Sequence, residues 1–119
     1  FIKNNILWVP FIQKKDMKAQ KLFNTAKGGW IAHYYKNLLF VKCFPDIQLK
    51  DIPPQQGEVE IFIAANGKYI ELENHGRYIT LAPNEYTVYN EKYYLLLLGQ
   101  NKKKKELLST IKRLNKKVN

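Results

Sequence analysis

The sequence predicts an all-β domain, an antiparallel β-sandwich closed by a C-terminal amphipathic helix, and three observations carry that expectation. Blocks rich in Val, Ile, Phe, Tyr and Trp recur through residues 1–100, and these side chains suit a pleated, half-buried surface. The connections between the blocks are short, which excludes the long crossovers of a parallel sheet. After Glu106 the apolar spacing changes to Leu107, Ile111, Leu114 and Val118, one stripe of a helix. The 119 residues, 45% of them hydrophobic, with 6 Gly and 5 Pro, amount to one globular core.

Taken in order, residues 6–11 read as a strand edged or broken by Pro10, and residues 13–24 as either a short helix or a loop. Gly28 and Gly29 punctuate the chain before two strands, 30–35 and 38–44, joined through Lys36-Asn37. In that hairpin Trp30, Ala32, Tyr34, Leu39, Val41 and Cys43 form a core face, and Ile31, His33, Tyr35, Leu38, Phe40 and Lys42 the other. Residues 45–57, with Pro53-Pro54, have loop chemistry. Strands 59–64 and 68–73 flank Asn66-Gly67, both of which accept the positive φ of a type I′ turn. A two-residue loop there sets Ala64 opposite Tyr69, Phe62 opposite Glu71 and Glu60 opposite Glu73. Residues 77–81 read as another strand, Pro83-Asn84 as a turn, and residues 86–98 as a long final strand or strand pair. The expected organisation is an antiparallel β domain over 1–100 and a basic tail with its helix over 101–119.

Net charge is +10, but the tail alone carries eight basic residues against Glu106, so the body is nearly balanced. The lone Cys43 excludes an internal disulfide and a cysteine zinc cage and is expected to be a buried apolar residue. No apolar run is long enough to span a bilayer. The two histidines lack metal-ligand spacing and no phosphate-binding glycine loop occurs, so neither metal nor cofactor is expected. His75, in the Asn74-His75-Gly76 turn, is expected at the surface.

The hairpin register puts Val59, Ile61, Ile63, Ile70 and Leu72 on a core face. Glu60, Phe62, Tyr69, Glu71 and Glu73 fall on the opposite face. Carboxylates placed across a sheet repel, so a cation or a ligand must compensate them, or at least one of their pKa values rises unless Lys42, Arg77 or Lys92 intervenes. Such a face is either a solvated surface neutralised by lysines or a groove in which rings stack on a sugar while carboxylates accept its hydroxyl protons. On the latter reading the substrate-binding residues are Glu60, Phe62, Tyr69, Glu71, His33, Lys42 and Arg77.

The string YIELENHGRYITLAPNEYTVY, residues 69–89, resembles the C-terminal signature of the galactose-mutarotase-like (aldose 1-epimerase-like) supersandwich proteins, with Leu72-Glu73-Asn74 followed by Leu81-Ala82-Pro83-Asn84-Glu85. The segments GGWIAHYYKNLLFVKCFPD and GEVEIFIAANGKYIELE are similar to uncharacterised bacterial members near that superfamily. The resemblance implies part of a supersandwich, with Glu73 in the position of the general base that removes the anomeric proton. Asn84 stands where the family's turn has glycine, and asparagine enters the left-handed region more readily than other residues. The acid histidines of the epimerases belong to the first half of that fold, so the resemblance also implies an N-terminal half of the same protein or a second subunit. The expected function is a carbohydrate-binding or aldose-epimerase-like module acting on a sugar or oligosaccharide. The alternatives are a nucleic-acid or membrane-surface binder working through the lysines at 102–105, and a structural interaction domain whose helix stripe docks on a neighbour.

Overall fold

The computed structural model describes residues 1–117. Among the described residues, besides two short 3-10 turns at Leu49–Asp51 and Ala65–Gly67, eight strands and one α-helix make up the regular structure: β1 (Ile2–Lys3), β2 (Ile6–Leu7), β3 (Gln20–Asn24), β4 (Trp30–Tyr35), β5 (Leu38–Cys43), β6 (Val59–Ile63), β7 (Ile70–Asn74), β8 (Lys92–Leu97) and α1 (Lys104–Lys116). They assemble into a small β1-β2 hairpin and two three-stranded antiparallel sheets, ordered β3-β6-β7 and β4-β5-β8. The fold is all-β and sandwich-like, with a C-terminal helix.

The β4-β5 hairpin has the register that alternation dictates, from Trp30 opposite Cys43 to Tyr35 opposite Leu38. One face of its sheet supplies Leu39, Val41 and Cys43, all essentially inaccessible, and α1 covers them with Leu107, Ile111 and Leu114. The helix stripe is therefore spent within the chain: it packs on the body, as expected for residues 106–118, and the alternative in which it docks on a neighbour does not hold. Val118, the last residue assigned to that stripe, lies outside the described residues. The Glu106 carboxylate accepts the Lys103 backbone N–H at 2.8 Å, and Tyr34 Oη donates to Gly99 O at 2.7 Å, fixing the start of the helix and the turn before it.

The other face of this sheet meets the second sheet at one end only. Ile31, Phe44 and Val59 form that core, with Ile61 and Leu72 against it. Beyond that contact, Tyr35, Leu38, Tyr93, Leu95 and Leu97 are left exposed on the same face. The radius of gyration, 15.7 Å, exceeds the roughly 13.5 Å of a close-packed chain of this length.

Gly29 closes the entry to β4. Its φ is +67°, and a Cβ there would stand 2.7 Å from the Phe44 carbonyl oxygen, which accepts no displacement because Phe44 N–H donates back to Gly29 O. Gly29→Ala is expected to destabilise the fold by about 2 kcal/mol, read as a shift in the urea midpoint without a change in slope.

Several expectations fail for identifiable reasons. The segment 13–24, read as helix or loop, contributes β3, which pairs with β6 from Gln20 opposite Ile63 to Asn24 opposite Val59. The strand expected at 6–11 stops at Leu7 and pairs instead with Ile2–Lys3 around Asn4 and Asn5, both at positive φ. Residues 77–81 are no strand: no neighbouring strand offers a ladder, and Tyr78, Ile79 and Leu81 are exposed. Only Lys92–Leu97 of the expected 86–98 strand forms. The turn at Ala82–Glu85 does form, with Asn84 at φ 69° and the Glu85 carboxylate accepting the Ala82 N–H at 2.8 Å.

Candidate functional site

The β6-β7 hairpin pairs Glu60 with Glu73 and Phe62 with Glu71, and Ala64 N–H donates to Tyr69 O at 3.0 Å. Asn66 and Gly67 both take positive φ, as this register requires, although the connection spans residues 65–68 and is stitched by a bond from Gly67 N–H to Ala64 O. Val59, Ile61, Ile63, Ile70 and Leu72 consequently face inward. Glu60, Phe62, Glu71 and Glu73 take the outer face, joined there by Lys21 and Phe23 of β3, which pair with Phe62 and Glu60.

Lys21 answers the repulsion between the carboxylates. Its ammonium lies 2.7 Å from Glu60 and 3.4 Å from Glu73, and the two carboxylates hold its pKa above the ordinary lysine value. Glu60 is not a solvated member of the face: its side chain is wholly buried under Lys21 and the chain around Gly57, whose N–H it accepts at 3.3 Å. Burial pushes the Glu60 pKa up. The Lys21 and Gly57 contacts, with His75 at 3.9 Å, outweigh it and leave the carboxyl below its usual range. Repulsion therefore does not raise the Glu60 pKa, and the compensating cation is Lys21 rather than Lys42, Arg77 or Lys92.

What remains open on this face is a shallow aromatic platform. Phe23 and Tyr69 are each half exposed, Tyr69 and Phe62 sit with ring centroids 6.1 Å apart and tilted by 50°, and Lys21 lies 5.8 Å above the Phe23 ring. Glu71 is exposed beside them and Glu73 is half-buried, held by Lys21.

The remaining residues singled out from sequence sit elsewhere. His33 stacks with Tyr35 and takes the edge of Phe11 against it on β4, and burial lowers its pKa. Lys42 is buried between the sheets, donating to Leu72 O at 2.9 Å from the inner side and lying 5.4 Å from the Tyr93 ring. Its charge helps hold Glu91 ionised: burial pushes that carboxyl up, and hydrogen bonds from Tyr93 and Asn74, together with Lys42, bring it below its usual range. Arg77 pairs with Asp51 at 3.1 Å, beyond the end of β7. His75 is half-buried, its Nδ1 2.9 Å from Gly57 O, which corrects the expectation of a surface turn residue. Lys21 and Phe23 were not among the expected site residues. The signal for them was β6 itself, whose second edge needs a strand and whose Glu60 needs a cation.

Cys43 is buried and its thiol pKa is raised by burial, as an inert core residue requires. Among the described residues, no group of three or more His, Cys, Asp and Glu side chains is arranged to hold a metal ion, and no helix is long and apolar enough to cross a membrane.

Fold and site together define a two-sheet antiparallel β protein with a charged aromatic platform on one outer sheet face. Residues 6–96 match the family described as a domain of unknown function, DUF4380, and the chain belongs to that family. No curated protein sequence and no solved structure shows significant similarity to it.

Proposed function

We propose that this chain binds carbohydrate on the outer face of the β3-β6-β7 sheet and does not by itself catalyse anomer interconversion. The observation that carries the reading is the platform of Phe23, Phe62 and Tyr69 set around the Lys21–Glu73 ion pair. Ring faces desolvate the C–H surface of a sugar, while an exposed carboxylate and ammonium accept from and donate to its hydroxyls. The mutarotase-like resemblance points the same way and nominates Glu73 as a base. Base catalysis needs an acid on the ring oxygen as well, and among the described residues no histidine contacts Glu73: His33 is enclosed by Phe11 and Tyr35, and His75 turns to Gly57 and Glu60. An acid would have to come from a second half or a second subunit.

Calorimetric titration against a panel of monosaccharides and oligosaccharides tests the binding. Tyr69→Ala and Phe23→Ala should each weaken the best ligand about tenfold, which is roughly 1.4 kcal/mol, and Glu73→Gln should weaken it only modestly. Polarimetry of freshly dissolved glucose and galactose tests the catalytic half of the statement. Wild-type protein that accelerates mutarotation, with the activity lost in Glu73→Gln, would make the chain an epimerase; wild-type protein that neither binds nor interconverts any sugar would end the carbohydrate reading.

A further inference from the structure

A groove of about 940 Å³ runs between the N-terminal hairpin, β4, α1 and the inner face of the β3-β6-β7 sheet, where Leu22, Ile61, Ile70 and Leu72 line it, behind the outer face that carries the platform. Its walls are apolar and aromatic, with Trp8, Phe11 and Trp30 partly exposed among them and the buried Leu107 and Ile111 behind. Beside a few neutral polar side chains, its charged residues are of one sign: Lys27, Lys102, Lys104 and Lys112 line it, and no aspartate or glutamate does. Lys27, Lys104 and Lys112 have no carboxylate within ion-pair distance among the described residues, whereas Lys102 has only Glu106 at 3.8 Å. Lys104, itself exposed, has its ammonium over aromatic rings, 4.2 Å from Phe1 and 5.2 Å from Trp8, which places a positive charge at the rim of the apolar wall.

An apolar trough for neutral ligands would not need four cations, and a polyanion without rings would gain nothing from the tryptophans, while a single-stranded nucleic acid would leave the aliphatic lining of Ile6, Leu7 and Ile61 unused. The combination fits a molecule with one anionic head and a hydrocarbon body. We propose that the groove binds a single-chain amphiphile with a carboxylate head, a long-chain fatty acid, its chain against Trp8, Phe11 and Trp30 and its head among the lysines. The volume falls within the range of small-molecule sites. This site shares the β3-β6-β7 sheet with the carbohydrate platform but uses its opposite face, and the proposal does not rest on the carbohydrate reading.

Displacement of a fluorescent fatty acid from the full chain, with all ligands kept below their micelle concentrations, tests the proposal. Laurate should displace the probe saturably at one per chain, and each methylene removed from the ligand should weaken it up to about fourfold, the limit for full burial. The alcohol of the same length should bind at least tenfold more weakly, and dodecyltrimethylammonium should not compete. Lys27→Glu combined with Lys112→Glu reverses two exposed charges without touching the core, and should weaken laurate at least tenfold while leaving the unfolding transition in place. Leu95→Lys combined with Leu97→Lys alters the exposed face of β5 and β8 and should change nothing. Absence of saturable binding, equal affinity for the anionic, neutral and cationic amphiphiles, or binding lost in the Leu95/Leu97 variant but kept in the lysine variant would each overturn the proposal.

Discussion

Glu60→Ala is expected to destabilise the protein by about 3 kcal/mol, the loss typical of breaking a buried hydrogen-bonded charge network. The side chain is inaccessible to solvent, pairs with Lys21 at 2.7 Å and accepts the Gly57 N–H at 3.3 Å, so its removal unpairs a buried donor and leaves a void between β3 and β6. Lys21→Ala should also be destabilising, because it strands a buried carboxylate, whereas the double replacement by apolar residues should recover much of the loss. The pH dependence has a fixed sign. The folded Glu60 carboxyl titrates below its usual range, so the unfolded chain binds its proton first as pH falls. The network's contribution is then complete above the usual carboxylate range and disappears as pH drops through the depressed folded value. Urea unfolding of wild type and Glu60→Gln at pH 7 and pH 3 should show the difference between them shrinking in acid; a difference that is the same at both pH values would contradict this account of the network.

Ile111→Ala is expected to cost about 3 kcal/mol, within the range for truncating a buried aliphatic side chain. Ile111 is 3% exposed and packs with Leu107 and Leu114 on Leu39, Val41 and Cys43. The 13-residue helix is too short to persist in water without that contact. The loss should therefore appear in one cooperative transition followed by circular dichroism and tryptophan fluorescence alike, since Trp30 packs on the same cluster. Two separated transitions would mean that the helix is not part of the core. Asn115, whose side-chain amide donates to Gly28 O at 2.6 Å, should matter far less, because it is a single tie near the helix end.

The parts of the fold that could be read from sequence are those in which local chemistry and burial agree. The β4-β5 and β6-β7 registers follow from alternation and from residues able to take positive φ, and the helix stripe from its period. Strand β3 could not be read because Lys21 and Phe23 are outward residues on a fully exposed strand, so its alternation carries no buried face until β6 is placed beside it. The opposite error at 77–81 has the same root: Tyr78, Ile79 and Leu81 have strand propensity, but propensity without a partner edge leaves the segment irregular. The site divided along the same line. Glu60, Phe62, Glu71 and Glu73 share a face because register is local. His33, Lys42 and Arg77 were grouped with them by chemistry alone, and the tertiary arrangement sends them to the other sheet, the sheet interface and the Asp51 loop.

The central claim is that the outer face of the β3-β6-β7 sheet is the surface this chain offers to a sugar. Amide chemical-shift mapping during a titration with the best oligosaccharide from the panel tests it most directly. Shifts should concentrate at Lys21, Phe23, Phe62, Tyr69, Glu71 and Glu73, with the helix and the Trp8–Trp30 groove unmoved. Saturable shifts centred on the groove or on the lysines at 102–105, or no shifts with any sugar, would contradict it.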